Sequence, residues 1–327
     1  TSYRRYGLGL LSLKSMSSTP LKKIIKKNRF DRSINGIEDE NDSFVEIENK
    51  MTFEPRYFNT LSEEEKKKIS MPITSSQKTS VEMILKNHIS IVHGPPGCGK
   101  TFSIGLFVYH LFKQPHEIKP RILLCAYSHQ AVESIVSFIS PIAKALNKNL
   151  VWLPKTSFSF ETEEEFNNAS EDQKQLSIYK IMKRKETEEV YQFKTLQEKK
   201  WKYQKIKRMK NKNMKKSLLS DPNNRFTAFD ENKMFRLQSH LEKNLIAESD
   251  IVCCSLITSG KSNIACFDFD YVIIDEASQA DQMASLIPLI HHPKKIILLG
   301  DHNQLDANTL SELKTMHPST SQSLYKK

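Results

Sequence analysis

The chain is poor in glycine, with nine residues among 327, and its five cysteines (Cys98, Cys125, Cys253, Cys254 and Cys266) include no C-x-x-C pair. An odd cysteine count, mostly inside apolar runs, gives no basis for a disulfide framework or a zinc cluster and fits a reducing, intracellular setting. No apolar run approaches the roughly 18–20 residues that a membrane-spanning helix needs, so no membrane partner is expected. No internal repeat is visible. Acidic residues are absent from residues 1–30, which hold eight Lys and Arg. That basic opening, with its Ser and Leu, has the character of a mitochondrial presequence. A basic tail, or the edge of a fragment in a chain that does not begin with Met, is the plainer reading. Nucleus or cytoplasm is the expected location, with the mitochondrion as the alternative.

Positive charge and length are what the chain does have. Its 327 residues allow one large domain or two ordinary ones. A formal net charge of +11 and a pI near 9.2 point toward polyanions such as nucleic acid, nucleotides or a membrane surface. The charge is uneven. Lys183 to Lys216 holds fourteen Lys and Arg against four Glu, and outside this run and the first 30 residues the chain is mildly acidic. An apolar fraction of 38% leaves some of the length outside a compact core.

From about Met71, short apolar runs alternate with helical patterns. "ISIVHG" (89–94), "RILLCAY" (121–127), "DIVCCS" (250–255), "YVIID" (271–275) and "KIILLG" (295–300) are near-continuously apolar, as strands covered on both faces are. Helical patterns follow at about 100–113, 129–146, 281–290 and 309–316. This alternation predicts an α/β fold with a mostly parallel, doubly wound sheet. It breaks between about Leu153 and Glu248, where Lys and Glu dominate. There a Lys-rich helical arm, the turn "SDPNNRF" (220–226) and a second arm bearing Leu237, Leu241 and Leu245 predict an inserted antiparallel helical hairpin. The expected organisation is a basic arm and lead-in over 1–65, a first α/β part over 66–152, the insertion over 153–248 and a second α/β part over 249–327.

Three of the nine glycines fall within "GPPGCGKT", Gly94 to Thr101. The stretch fits G-x-x-x-x-G-K-[ST] and lies between an apolar strand and a helix, the context that gives the match meaning. Gly94, Gly97 and Gly99 let the backbone wrap tightly, so that the segment Gly94, Pro95, Pro96, Gly97, Cys98, Gly99, Lys100, Thr101 and Phe102 can surround a phosphate, with the N–H groups of all but the two prolines free to approach its oxygens. The helix that follows begins at its positive dipole end. Lys100 supplies a charge for the β- and γ-phosphates, and the Thr101 hydroxyl can ligate Mg²⁺. In "YVIIDEAS", Asp275 closes a strand and can hold Mg²⁺, while Glu276 can orient or deprotonate water. A further strand ends in "GDHNQL", where Gln304 can present an amide to the γ-phosphate. No NKxD element marks a GTPase, and no LSGGQ-like element marks a transporter ATPase. ATP and Mg²⁺ are the expected ligands.

Taken in order, "GPPGCGKT", "DEASQA" and "GDHNQL" resemble motifs I, II and III of superfamily 1 helicases, in the branch of the up-frameshift helicase, senataxin and the replication nuclease-helicase. The resemblance covers about 70–150 and 249–327 and implies a RecA-like P-loop NTPase lobe. "ITSSQKTSV" resembles the Q motif, which implies that Gln77 bonds the adenine edge. "LLCAYSHQAVESI" resembles motif Ia, which implies that Ser128 and His129 touch a single-stranded backbone. "DIVCCSLITSG" resembles the next nucleic-acid motif and implies a role for Thr258 and Ser259 near a phosphate. "SLYKK" resembles the "SLF" stretch that closes the first lobe. The resemblance further implies single-stranded RNA or DNA as partner, 5′ to 3′ movement, and a second RecA-like lobe in the parent chain that supplies arginines. Two features depart from the family: Asp306 and Ala307 stand where a Pro pair is usual, and the sequence stops where the second lobe is expected.

Tyr191, Phe193, Trp201 and Tyr203 interleave the basic run. Rings stacking bases along an electrostatic track and rings packed against the Leu237, Leu241 and Leu245 face are both open readings. Three function classes remain: the ATP-binding lobe of a helicase or translocase, another P-loop ATPase, and a nucleotide- and nucleic-acid-binding fragment without turnover. Without a second lobe, weak Mg-ATP binding and poor hydrolysis are expected of residues 1–327.

Overall fold

The computed structural model describes residues 47–116, 118–153, 187–301, 303, 323 and 325. The chain divides into two compact units, Thr1–Leu150 with Ser249–Lys327, and Val151–Glu248. Gln304 and the expected helix at 309–316 lie outside the described residues.

After a single helical turn at Pro55–Phe58, the first unit continues with α1 (Glu63–Ile69) and α2 (Ser75–Lys86). Both begin in capping boxes, Ser62 with Glu65 and Thr74 with Gln77, which satisfy backbone donors that a helix start leaves open. Then come β1 (Ile89–His93), α3 (Lys100–Lys113), β2 (Ile122–Ala126), α4 (His129–Ala145) and a short strand, β3 (Leu150–Leu153), of which Val151–Leu153 fall in the second unit. β3 was not expected from the sequence, although "LVWL" is an apolar run. The second unit holds α5 (Glu188–Arg208), α6 (Lys212–Ser220) and α7 (Ala228–Ala247). The chain returns to the first unit with β4 (Ile251–Ser255), β5 (Tyr271–Asp275), α8 (Gln282–Leu286) and β6 (Lys295–Gly300).

Strands of the first unit lie in the order β1-β6-β5-β2-β4, and each of these pairings is parallel. This is the α/β, doubly wound arrangement expected from the alternation, consistent with a RecA-like P-loop NTPase lobe. All five residues of β2 and of β4 are buried, which explains why they read as unbroken apolar runs. α3 is buried from Phe102 to Leu111, on all sides, as a helix apolar all round must be. Gly105 permits its close approach to α4: a Cβ there would lie 2.5 Å from Phe138 Cε1 and 2.6 Å from Ile142 Cδ1.

In the second unit, α5 and α7 pair in opposite directions. Lys199 reaches Asp230 at 3.0 Å and His240 reaches Glu189 at 3.4 Å, so the start of one helix meets the later part of the other. The expected turn contains a short 3-10 helix, Pro222–Asn224. One helix more than the expected hairpin precedes it, because the Lys-rich arm breaks at Met209 and restarts with Asn211 capping α6.

Candidate active site

Parallel register places the C-terminal ends of β1, β6 and β5 side by side. His93 pairs with Gly300, and Ile274 pairs with Leu298, one residue before Asp275. Ligand sites of open α/β sheets lie at this end of the strands. The loop from Gly94 to Gly99 leaves β1 here and enters α3.

Its conformation depends on glycine at particular positions. Gly97 (φ 76°) and Gly99 (φ 86°) occupy the left-handed region. A Cβ on Gly94 would lie 2.4 Å from Cys98 Sγ, and one on Gly99 would lie 2.5 Å from Gln77 Nε2. At Gly97 and Gly99 the left-handed backbone itself disfavours a side chain, and at Gly94 and Gly99 a Cβ would also have to displace Cys98 or the Gln77 amide. Lys100 Nζ donates to Gly94 O at 2.6 Å and Pro95 O at 3.0 Å, which folds the cation back over the loop. Gly94 N donates to Gly300 O at 3.2 Å and ties the loop to the neighbouring strand.

Thr101, in the first turn of α3, points its hydroxyl to Asp275 Oδ2 at 3.5 Å. Asp275 is 7% exposed, and its other oxygen accepts from Glu276 N at 2.9 Å. Burial raises its carboxyl above the usual range, against the lowering effects of the Glu276 N–H, the Lys100 charge and the Thr101 hydroxyl. Burial also raises the Glu276 carboxyl, with the Asp275 charge adding to it and Lys100 opposing. A carboxylate with a raised pKa is a better proton acceptor, as a water-activating base requires.

Glu276 has a positive φ, 51°, which costs a non-glycine residue roughly 1–2 kcal/mol. Its neighbours hold it there. Ala277 N donates to Leu299 O at 2.8 Å and Gln279 N to Glu276 O at 2.9 Å. Gly300 lets this segment lie against β6, since a Cβ there would sit 3.1 Å from Ser278 N. Nothing in the sequence signals the left-handed glutamate. The buried Asp301 follows, its N–H donating to Ser278 Oγ at 3.3 Å. Tyr325, 7% exposed, sets its hydroxyl 3.1 Å from Gly300 O, 3.3 Å from Val92 O and 3.1 Å from His93 Nδ1.

Other candidate residues have more structural surroundings. Gln77 Oε1 accepts from Thr74 N at 3.0 Å in its capping box, while its amide nitrogen faces Gly99. Phe102 is buried against Phe138, with ring centroids 5.9 Å apart. Ser128 Oγ accepts from Ala131 N at 3.0 Å as the N-cap of α4, and His129 is the first residue of that helix. Thr258 and Ser259 are buried beyond β4. Ser255 Oγ donates to Thr258 Oγ1 at 2.9 Å, and Ser259 Oγ donates to Leu256 O at 2.6 Å. The site thus gathers Lys100, Thr101, Asp275, Glu276 and the Gln77 amide, with Ser128, His129, Thr258 and Ser259 beyond the ends of the adjacent strands β2 and β4.

Among the described residues, no group of three or more His, Cys, Asp or Glu is disposed to hold a metal ion. Mg²⁺ needs no such cage. It is commonly held by one or two protein oxygens, substrate phosphates and water, and Thr101 with Asp275 fits that donor set.

With that geometry in place, comparison with known proteins is informative. A family described as an AAA domain matches residues 72–312. The Arabidopsis thaliana regulator of nonsense transcripts 1 homolog is 28% identical over 233 residues, covering 71% of this chain and 16% of that protein. The Saccharomyces cerevisiae ATP-dependent helicase NAM7 is 29% identical over 265 residues, covering 80% and 23%. The Saccharomyces cerevisiae DNA polymerase alpha-associated DNA helicase A is 28% identical over 280 residues, covering 74% and 35%. The chain therefore spans between about a sixth and about a third of the length of these relatives.

Proposed function

We propose, for a chain that belongs to the AAA-domain family through residues 72–312 and holds a RecA-like domain related to up-frameshift and senataxin-like superfamily 1 helicases, that it is the ATP-binding lobe of a nucleic-acid helicase or translocase. The observation that carries this reading is the juxtaposition of Thr101 and Asp275 beside a loop wound through two left-handed glycines. Gly94 to Thr101 would hold the triphosphate, Lys100 its β- and γ-phosphates, and Gln77 the adenine edge. Thr101 and Asp275 would hold Mg²⁺, which supplies charge neutralisation on the phosphates when bound. Glu276, fixed in its left-handed conformation and raised in basicity, would orient a water and accept its proton.

The names of the relatives divide between transcripts and DNA. The partner is accordingly proposed as single-stranded nucleic acid, held by the residues beyond β2 and β4, with no assignment of its sugar. Residues 1–327 supply one lobe of a motor that works by closing two lobes on the strand, so their own turnover is expected to be low.

Fluorescent Mg-ATP binding and phosphate release test the reading. Lys100→Ala should weaken nucleotide binding by about 10- to 100-fold, the scale of a lost hydrogen bond to a charged group. Glu276→Gln should keep binding and abolish the residual phosphate release. Unchanged nucleotide affinity in Lys100→Ala would reject the site. Robust strand-stimulated turnover by residues 1–327 alone would reject the single-lobe part of the proposal.

A further inference from the structure

The basic run does not stay on one helix, and its break shapes a cleft. α5 ends at Arg208, Met209 is extended, and Asn211 Oδ1 accepts from Met214 N at 3.1 Å to start α6. Lys212, Lys215, Lys216 and Leu219 then fall at i, i+3, i+4 and i+7, on one face of α6. After the 3-10 turn, Arg225 folds back and donates from Nε to Leu219 O at 2.6 Å. Together with Ser220 these residues line an open cleft of about 460 Å³. No carboxylate is among the lining residues. The nearest acid in the sequence, Asp221, accepts from Asn223 N at 2.9 Å and from Asn224 Nδ2 at 3.3 Å, so it turns to its own loop.

We infer that this cleft is a phosphodiester-binding site that holds the backbone of a single-stranded nucleic acid. The inference rests on the reading above that such a strand is the partner. Lys212, Lys216 and Arg225 line the cleft with no acid among them, while Lys215 Nζ donates to Lys207 O at 2.7 Å and adds its charge from the side of α5; the self-repulsion of such a cluster is relieved by an anion. With Nε committed to Leu219 O, the two terminal nitrogens of Arg225 offer a planar pair of donors of the kind that fits phosphate oxygens. Lys212 and Lys216, one helical turn apart with Cβ atoms about 5–6 Å from each other, present two neighbouring single charges, and a strand carries one negative charge at each nucleotide. The lining contains no aromatic ring, so the cleft holds backbone and not bases. Arg225 lies beyond the run of Lys183 to Lys216 and is brought to it only by the turn.

The test uses the full chain with dye-labelled oligothymidylate and oligouridylate over a range of salt concentrations. The variant Lys212→Gln/Lys216→Gln/Arg225→Gln should weaken both oligonucleotides at least about 10-fold at low salt. It should also make the log–log salt slope shallower by about 0.7 for each phosphate that the protein no longer neutralises. Lys212→Gln/Lys216→Gln alone, which leaves the Arg225–Leu219 bond intact, should give a smaller loss of the same kind and guards against misfolding in the triple variant. Lys202→Gln/Lys205→Gln/Lys233→Gln removes the same charge from exposed positions outside the cleft and should have less than half the effect. An equal effect in that control, or an unchanged slope in the cleft variants, would overturn the inference while leaving the helicase reading intact. Absence of any oligonucleotide binding by the unaltered chain would overturn both. A polyglutamate peptide that binds more tightly than either oligonucleotide, and no longer binds the cleft variant, would reassign the cleft to a protein partner.

Discussion

All five residues of β4 are buried, whereas α6 buries none of its nine. The difference runs through the two units. The inner strands β2, β4 and β5 and α3 of the α/β unit are enclosed by apolar neighbours, so changes there act on packing, while β1 has an alternating pattern with Ile91 exposed. The helical unit has a thin core: Val190, Phe193, Leu196 and Ile206 of α5, and Met234, Leu241, Leu245 and Ile246 of α7, are its buried apolar residues within those helices. Much of its remaining surface is charge on long, solvated stems. The comparison teaches that one unit is organised to hold a fixed geometry and the other to present a field. The raised carboxyls at 275 and 276 need the low-dielectric surroundings that the first provides.

The largest test of this contrast is paired truncation. Ile273, at the centre of β5 and 1% exposed, should cost about 3 kcal/mol as Ile273→Ala. Phe235 of α7, 67% exposed, should cost less than about 0.5 kcal/mol as Phe235→Ala. Hydrogen exchange resolved by peptide should place the Ile273→Ala effect in the α/β unit. Equal acceleration across 188–247 would break the comparison.

Acid should then act mainly on the first unit. His110 is buried in α3 beside Glu48 and Lys113, and its Nε2 has no hydrogen-bond partner among the described residues. Burial pushes its pKa from 6.5 down to about 4, with Glu48 raising it and Lys113 lowering it further. Because the folded pKa lies below the unfolded one, this contribution is complete above pH 6.5 and is lost as pH falls toward 4. The loss amounts to about 3 kcal/mol at most. His110→Leu should flatten urea-denaturation stability in that window relative to the parent chain; an unaltered pH dependence would exclude His110 as its source.

The smallest expected effect lies in the helical unit. Lys199 and Asp230, 3.0 Å apart, are 30% and 14% exposed, and Asp230 also caps α7 through Thr227. A double-mutant cycle with Lys199→Ala and Asp230→Ala should give a coupling of about 0.5 kcal/mol. A value several-fold larger would mean that charge pairing, and not the thin apolar core, holds α5 to α7.

Legibility in the sequence followed the same division. β2, β4, β5 and β6 were readable because burial on both faces confines polar residues to the strand ends, as at Ser255, Asp275 and Lys295. The phosphate loop was readable because winding it puts Gly97 and Gly99 in the left-handed region that favours glycine and packs Gly94 against Cys98. By contrast, the break at Met209 was hidden in a run whose Lys, Gln and Asn residues suit a solvated helix or its cap, with Asn211 as the one available signal. The exposed basic face of α6 and the return of Arg225 depend on that break. Of the ring residues in the run, Phe193 is buried and Tyr191 is 68% exposed, so neither single reading of the aromatics described them all. The burial of Thr258 and Ser259 was likewise out of reach, because small hydroxyl residues read the same in a solvent-facing turn as beneath one.

Tyr325 has a mechanical consequence. Its hydroxyl meets carbonyls near the C-terminal ends of two strands, Val92 O and Gly300 O, and Gly300 O is also the anchor of Gly94 N. A pull on the backbone at 325 would load the entrance of the glycine loop through two linked bonds, with no slack segment between to absorb the displacement.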